Sequence, residues 1–157
     1  MKKSVLAIAL SAFSLCLYAG ETTGSTTLGG TAEQTCSITN SPSLNLAFTG
    51  LEDATGNFNV GVICNSGLAW TATIDGGVAP SGEIRRASSG VDHLKYRLYK
   101  DASMLQEVGV TANNSMSGTG TGSAETIDVY AKVALVDNNP QPATGTYSDT
   151  LNVTIAW

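Results

Sequence analysis

The chain has 157 residues, a formal charge of −5 and only 13% charged residues, against roughly 25% in ordinary soluble domains. Two of its eight bases, Lys2 and Lys3, lie in an N-terminal segment expected to be removed, which leaves six bases against thirteen acids and a charge of −7. That balance excludes a basic nucleic-acid binder, whose affinity rests on lysine and arginine set against phosphates, and the remaining length suits one domain with one core.

Met1-Lys2-Lys3 is followed by the apolar runs Val5 to Leu10 and Ala12 to Tyr18, then by the small pair Ala19-Gly20. This basic, apolar, small order is that of a secretory signal peptide cleaved after Ala19. A membrane anchor is the alternative, but the run is short for a bilayer and no basic stop follows it. Lipoprotein cleavage is excluded because bulky Leu15 precedes Cys16. The expected organisation is a signal peptide over 1–19, an N-terminal extension over 20–34 and a single domain over 35–157.

The extension, Gly20 to Gln34, is rich in threonine and glycine, lacks proline and carries only Glu21 and Glu33 as charges. It reads either as a disordered tail or as an extended strand. Extended, it would put Thr22, Gly24, Thr26, Leu28, Gly30 and Ala32 on one face, with Leu28 the single large apolar group. With Cys16 removed, Cys36 and Cys64 remain in a chain bound for an oxidising compartment, and a disulfide between them is expected. Two buried free thiols are the alternative; two cysteines alone make a poor metal site.

From there the chain alternates apolar and polar residues with a period of two, the signature of half-buried strands. Leu44, Leu46 and Phe48 share one parity, as do Phe58, Val60, Val62 and Cys64, and Trp70, Ala72 and Ile74. Leu94, Tyr96 and Leu98 follow, then Ile127, Val129, Ala131, Val133 and Leu135, and finally Tyr147, Leu151, Val153, Ile155 and Trp157. Turn formers separate them: Asp75-Gly76-Gly77, Pro80-Ser81-Gly82, Ser88-Ser89-Gly90, Asn138-Asn139-Pro140 and Thr144-Gly145. After residue 20 no long 3.6-residue pattern appears, so the class is all-β, a two-sheet sandwich with almost no helix. Gly118 to Ser123 lacks the lysine and the strand-to-helix setting of a phosphate loop and reads as a flexible loop. Arg85, Arg86, Lys95, Arg97 and Lys100 cluster among Glu83, Asp92, Asp101 and Glu107. They read as a solvated mixed-charge edge, with a surface for an acidic ligand as the alternative.

Chemistry is sparse. The one histidine, His93, follows Asp92 directly, and neighbours on a strand face opposite ways, so the pair makes no relay. No nucleophile turn, histidine-rich metal spacing or calcium loop occurs, so no enzyme activity, cofactor or metal is expected. Asn113-Asn114-Ser115 and Asn152-Val153-Thr154 match the glycosylation acceptor pattern, but the second lies on an expected strand and the signal peptide looks bacterial.

Six motifs in order carry a resemblance: Ile63-Cys64, Ile74-Asp75-Gly76-Gly77, Arg85-Arg86, Leu94-x-Tyr96-x-Leu98-Tyr99-x-Asp101, Val129-Tyr130, and Gly145-Thr146-Tyr147-Ser148-Asp149-Thr150-Leu151-x-Val153-Thr154-Ile155. Together they make the chain resemble the spore coat protein U domain family, which includes subunits of archaic chaperone-usher pili. The resemblance implies an incomplete immunoglobulin-like β-sandwich that lacks its last strand, with a free N-terminal donor segment. It implies a periplasmic pilus chaperone that lends a strand, an outer-membrane usher, and sister subunits joined head to tail by donor-strand complementation. The fibre would stand at the cell surface and serve adhesion or biofilm formation. On that reading Thr26, Leu28, Gly30 and Ala32 form the inserting face of the donor strand. Leu151, Val153, Ile155 and Trp157 form the edge that a chaperone grips, with the terminal carboxylate as anchor. Two other implied roles are a carbohydrate- or receptor-binding module, for which the chain is short, and a structural protein of a spore coat.

Overall fold

The computed structural model describes residues 22–40, 42–111 and 114–157. The expected signal peptide and the Asn113 acceptor fall outside them. The chain divides into two units, Met1–Ala32 and Glu33–Trp157. In the first, residues 22–32 have no regular secondary structure and all are exposed, Leu28 at 97%.

The second unit is built from β1 (Cys36–Ile38), β2 (Ala54–Cys64), β3 (Ala69–Ile74), β4 (Arg85–Ser89), β5 (Asp92–Tyr99), β6 (Met116–Thr119), β7 (Ala124–Val133) and β8 (Val153–Ala156), with a single 3₁₀ turn at Val136–Asn138. The all-β expectation holds. One sheet has the order β1-β2-β7-β5-β4, the other β6-β3-β8, and every pairing is antiparallel. The long ladder between β2 and β7 runs from Ala54 opposite Val133 to Ile63 opposite Ala124. Its period-two pattern sends Val60, Val62 and Cys64 inward beside Ile127, Val129, Ala131 and Val133. The small sheet answers with Ala72 and Ile74 of β3 and Met116 of β6. Each large apolar side chain fully buried between the sheets contributes about 1.5–3 kcal/mol.

Cys36 and Cys64 stand opposite each other in the β1–β2 ladder and are joined by a disulfide that closes a separation of 28 residues. It ties the three-residue edge strand β1 to its neighbour β2. For a loop of this size the chain-entropy account gives about 3–4 kcal/mol. Cys36→Ser is therefore expected to lower the melting temperature of the oxidised protein to that of the reduced one. Thermal melts with and without reductant check this, and equal midpoints for the unsubstituted chain in both conditions would contradict it.

Three features depart from the sequence expectations. Leu44 to Phe48 keeps its alternation of half-buried and exposed residues but joins no ladder. Gly118 and Thr119 belong to β6, paired with Trp70 and Ala69, and are not loop. The Trp70 ring rests where a side chain on Gly118 would stand, so glycine there makes room for the indole. Arg85, expected in a solvated edge, is 1% exposed. Its guanidinium donates to the carbonyls of Asp75, Val108, Ile74 and Gly109 at 2.6–2.8 Å. Arg97 does sit in a mixed-charge cluster, between Glu107 at 3.0 Å and Asp137 at 2.7 Å, and both carboxylates raise its pKa above the ordinary arginine value, Asp137 foremost.

Candidate functional site

The small sheet is finished on one side of β8 only. β8 pairs with β3, from Ile74 opposite Val153 to Thr71 opposite Ala156, and its other edge joins no ladder among the described residues. The inward residues of β3, Ala72 and Ile74, are 0% and 1% exposed. Their cross-strand neighbours Ile155 and Val153, with Leu151 just ahead of them, pack on the same core yet stay half-buried. β3 is flanked by strands on both sides and β8, among the described residues, on one, so the core is closed at Ala72 and Ile74 and less covered over β8.

A second unpaired stretch faces the same core. Leu44 and Leu46 pack against it half-buried, and Phe48 shares their parity. The stretch lies over β2 at Gly56, where a Cβ would come within 2.7 Å of Leu46 Cδ2 and 3.0 Å of Leu44 Cδ1. Glycine at that inward position gives the two leucines their seat. β1, which precedes this stretch, approaches β8 to within 8 Å without hydrogen bonding to it. Residues 42–48 and β8 are thus two extended segments that each turn an apolar face to the core and leave backbone groups without a ladder partner. Such edges template strand pairing, and buried backbone groups demand a partner.

Among the described residues no group of three or more His, Cys, Asp or Glu side chains could hold a metal ion. His93 Nδ1 lies 3.1 Å from the Ser88 hydroxyl. A shallow concavity of about 560 Å³ on the small sheet is lined by uncharged side chains, those of Thr71, Ser117, Thr119 and Trp157 among them. General acid–base work by side chains needs titratable ones, and the side chains lining this hollow are not titratable.

Residues 22–154 match the Spore Coat Protein U domain. The chain belongs to the Spore Coat Protein U domain family. No curated protein sequence matches it. Among solved structures it is similar to the CsuC–CsuE chaperone–tip adhesion subunit pre-assembly complex, from the archaic chaperone-usher Csu pili of Acinetobacter baumannii. That match has a TM-score of 0.61 and 20% identity and covers 81% of this chain and 40% of that chain. A chaperone–tip adhesin complex of CFA/I fimbriae biogenesis matches with a TM-score of 0.38 and 16% identity, over 78% of this chain and 40% of that one. The chain therefore spans 40% of the length of either solved chain, and the likeness to the first is one of fold.

Three motifs that carry the spore coat U resemblance meet at the start of β8. Asp75, just past β3, donates its backbone N–H to Asn152 O at 3.0 Å and takes the Asn152 amide N–H on Oδ1 at 3.0 Å. Its Oδ2 takes the Asn152 side-chain N–H at 2.6 Å, and Oδ1 also accepts from Gly77 at 3.0 Å. Burial opposes ionisation of Asp75, but the bonds from Asn152 and Gly77 outweigh it and hold the carboxyl below the usual range. Asp149 accepts from the Val78 and Thr150 amides at 2.8 Å and from the Tyr96 hydroxyl of β5 at 2.7 Å. Burial, followed by Asp149, pushes the Tyr96 phenol far above its ordinary value. Gly77 sits at φ 77°, and a side chain there would run into the Asp149 carboxylate.

Of the residues singled out from sequence, Val153 and Ile155 lie in β8, Leu151 precedes it, and Trp157 is 56% exposed beyond its end. Thr26, Leu28, Gly30 and Ala32 lie exposed in the first unit. Sequence reasoning missed Asp75, Tyr96, Asp149 and Asn152 as a set. Asp75-Gly76-Gly77 reads as a turn former, and nothing local shows that its carboxylate reaches residue 152.

Proposed function

We propose that this chain is a structural pilus subunit that polymerises by donor-strand complementation into a surface fibre for adhesion or biofilm formation. The carrying observation is the contrast between cross-strand partners in one sheet: Ala72 and Ile74 of β3 are fully covered, while Ile155 and Val153 of β8 are half-buried, and the edge beyond them joins no ladder among the described residues. A periplasmic chaperone would first fill that edge, and at an outer-membrane usher the extension of the next subunit, residues 20–34, would replace it. Fifteen extended residues reach about 50 Å at roughly 3.3 Å each, longer than β8 and the stretch leading into it. On this reading residues 1–19 are a signal peptide, 35–157 the receiving domain, and Thr26, Leu28, Gly30 and Ala32 the inserted face. Leu151, Val153, Ile155 and Trp157 line the receiving edge. Subunits joined this way grow head to tail without closing a ring.

The direct test adds a synthetic peptide of residues 20–34 to the purified chain and follows thermal unfolding. A segment that binds the folded form only stabilises it by about 2.7 kcal/mol at a hundredfold excess over Kd, so the melting temperature should climb with peptide concentration. A scrambled peptide should leave it in place. No shift at millimolar peptide would overturn the donor-strand reading.

A further inference from the structure

The free edge of β8 raises a question that strand donation alone does not answer. A four-residue strand bonded on one side only among the described residues, with half-buried inward residues, has little to hold it in place before a partner arrives. Short edge strands fray, and a slip of one residue would turn Val153 and Ile155 outward. Something other than its own packing must hold it.

The polar contacts at its start supply that restraint. Asn152 is bound to Asp75 by its backbone N–H, its backbone carbonyl and its side-chain amide. Three residues earlier, Asp149 is bound to Val78 and, through the Tyr96 hydroxyl, to β5 of the large sheet. Asp75 is itself fixed from behind, because its carbonyl accepts from the buried Arg85 guanidinium at 2.8 Å. The chain leading into β8 is thus fastened at two points to the turn after β3, and at one of them to the opposite sheet. Hydrogen bonds to charged groups contribute about twice as much as neutral ones, and these lie at the one end of β8 that can fix its register against β3.

We propose that Asp75 and Asp149 are positioning residues that set the register of β8 and hold its free edge ready before a donor strand is present. The inference rests on the donor-strand reading and adds how the receiving edge is kept in place. It separates the chain into a core held by burial and the disulfide and an edge held by two carboxylates. Weakening the carboxylates should therefore loosen β8 and slow strand uptake, while the β2–β7 ladder stays protected.

The test uses a swap. In Asp75→Asn the retained Oδ1 still accepts from Asn152 N and Gly77 N, but an amide N–H replaces Oδ2 and faces the Asn152 side-chain N–H. In Asn152→Asp two carboxylates face each other. Combining Asp75→Asn with Asn152→Asp restores one donor against one acceptor. Each single substitution is expected to raise amide exchange at residues 153–156 about tenfold and to slow binding of the 20–34 peptide by a similar factor. Exchange along β2 and β7 should stay within twofold of the unsubstituted chain, and the pair of substitutions should recover both losses. Exchange rising equally along β2 and β7 would overturn the inference, since the carboxylates would then serve global stability alone. So would uptake that stays unchanged while β8 loosens. If the unsubstituted chain takes up no peptide, the donor-strand reading itself falls, and the proposed role in strand uptake falls with it.

Discussion

Replacing Leu28 with arginine is expected to stop fibre growth while the chaperone-bound subunit accumulates at its normal level. Leu28 is 97% exposed in its own chain, so the folded domain loses nothing when it changes. In the proposed fibre the same leucine is the single large apolar group on the inserted face. Burying it contributes about 1.5–3 kcal/mol to each joint, and an unpaired guanidinium in an apolar groove costs several kcal/mol more. Since 1.4 kcal/mol is a factor of ten in an equilibrium constant, each joint weakens by about a thousandfold, and a fibre multiplies the loss over every joint. Leu28→Met keeps the apolar volume and should assemble. Thr27→Arg puts the same charge on the opposite face of an extended segment and should assemble too. Electron microscopy of sheared surface material, alongside the yield of soluble subunit, reads the result. Fibres at normal yield from Leu28→Arg would remove Leu28 from the donor role.

The composition of that segment bears on the groove it would fill. Thr26, Gly30 and Ala32 flank Leu28 on one face, so most positions of the inserted strand would bring little bulk. On the receiving side Leu44 and Leu46 lie over β2 at Gly56, and Leu151, Val153 and Ile155 pack half-buried against the same core. Ladder hydrogen bonds, which form whatever the side chains are, would then carry a larger share of the joint than apolar burial.

Much of this fold is visible in the pattern of apolar residues, and the reason is geometric. β2, β3 and β7 send alternate residues into one core, and β5 does so at Tyr96 and Leu98, so their alternation survives in the sequence. The misses have separate causes. β1 is three residues long, too short to show a period. β6 contributes Met116 and Gly118 to its inward face, and glycine there reads as loop although it is the space that Trp70 needs. Leu44 to Phe48 has the right alternation because it does face the core, but alternation reports burial of one face and says nothing about a ladder partner. The free edge of β8 is hidden for the same reason. Val153 and Ile155 look like any inward pair in the sequence, and only the structure shows them half-buried beside the covered Ala72 and Ile74. β4 misleads most, because its inward residue is the charged Arg85.

That arginine supports the second large effect. Arg85→Met is expected to destabilise the oxidised domain by about 4 kcal/mol, a large part of the roughly 5–15 kcal/mol that holds such domains folded. Methionine fills a similar volume, so the loss is one of hydrogen bonds and not of packing. Arg85 spends its donors on four carbonyls, those of Ile74 and Asp75 at the end of β3 and those of Val108 and Gly109 across the core. The bonds to Ile74 O and Val108 O are buried, and a buried acceptor left without a donor costs about 1–3 kcal/mol. The other two are part-buried and can recover a water. Replacing a buried ion pair by apolar side chains is often harmless because both polar partners leave together; here the partners are backbone and stay behind. Burial pulls the guanidinium pKa down, yet arginine keeps its proton in proteins, so the charge is part of the interior at every ordinary pH. Arg86→Met is the control. Its guanidinium bonds Ala79 O at 2.7 Å and Pro80 O at 3.4 Å, at part-buried to exposed positions, where solvent replaces the lost donor, and its cost should stay under about 1 kcal/mol. Urea titration of the two variants side by side, with the disulfide intact, measures the difference. Equal midpoints would mean that the four carbonyls find other donors once Arg85 is gone. A large loss at Arg85 alone would show that these interior carbonyls depend on this one side chain, two of them at the end of β3 to which Asp75 fastens β8.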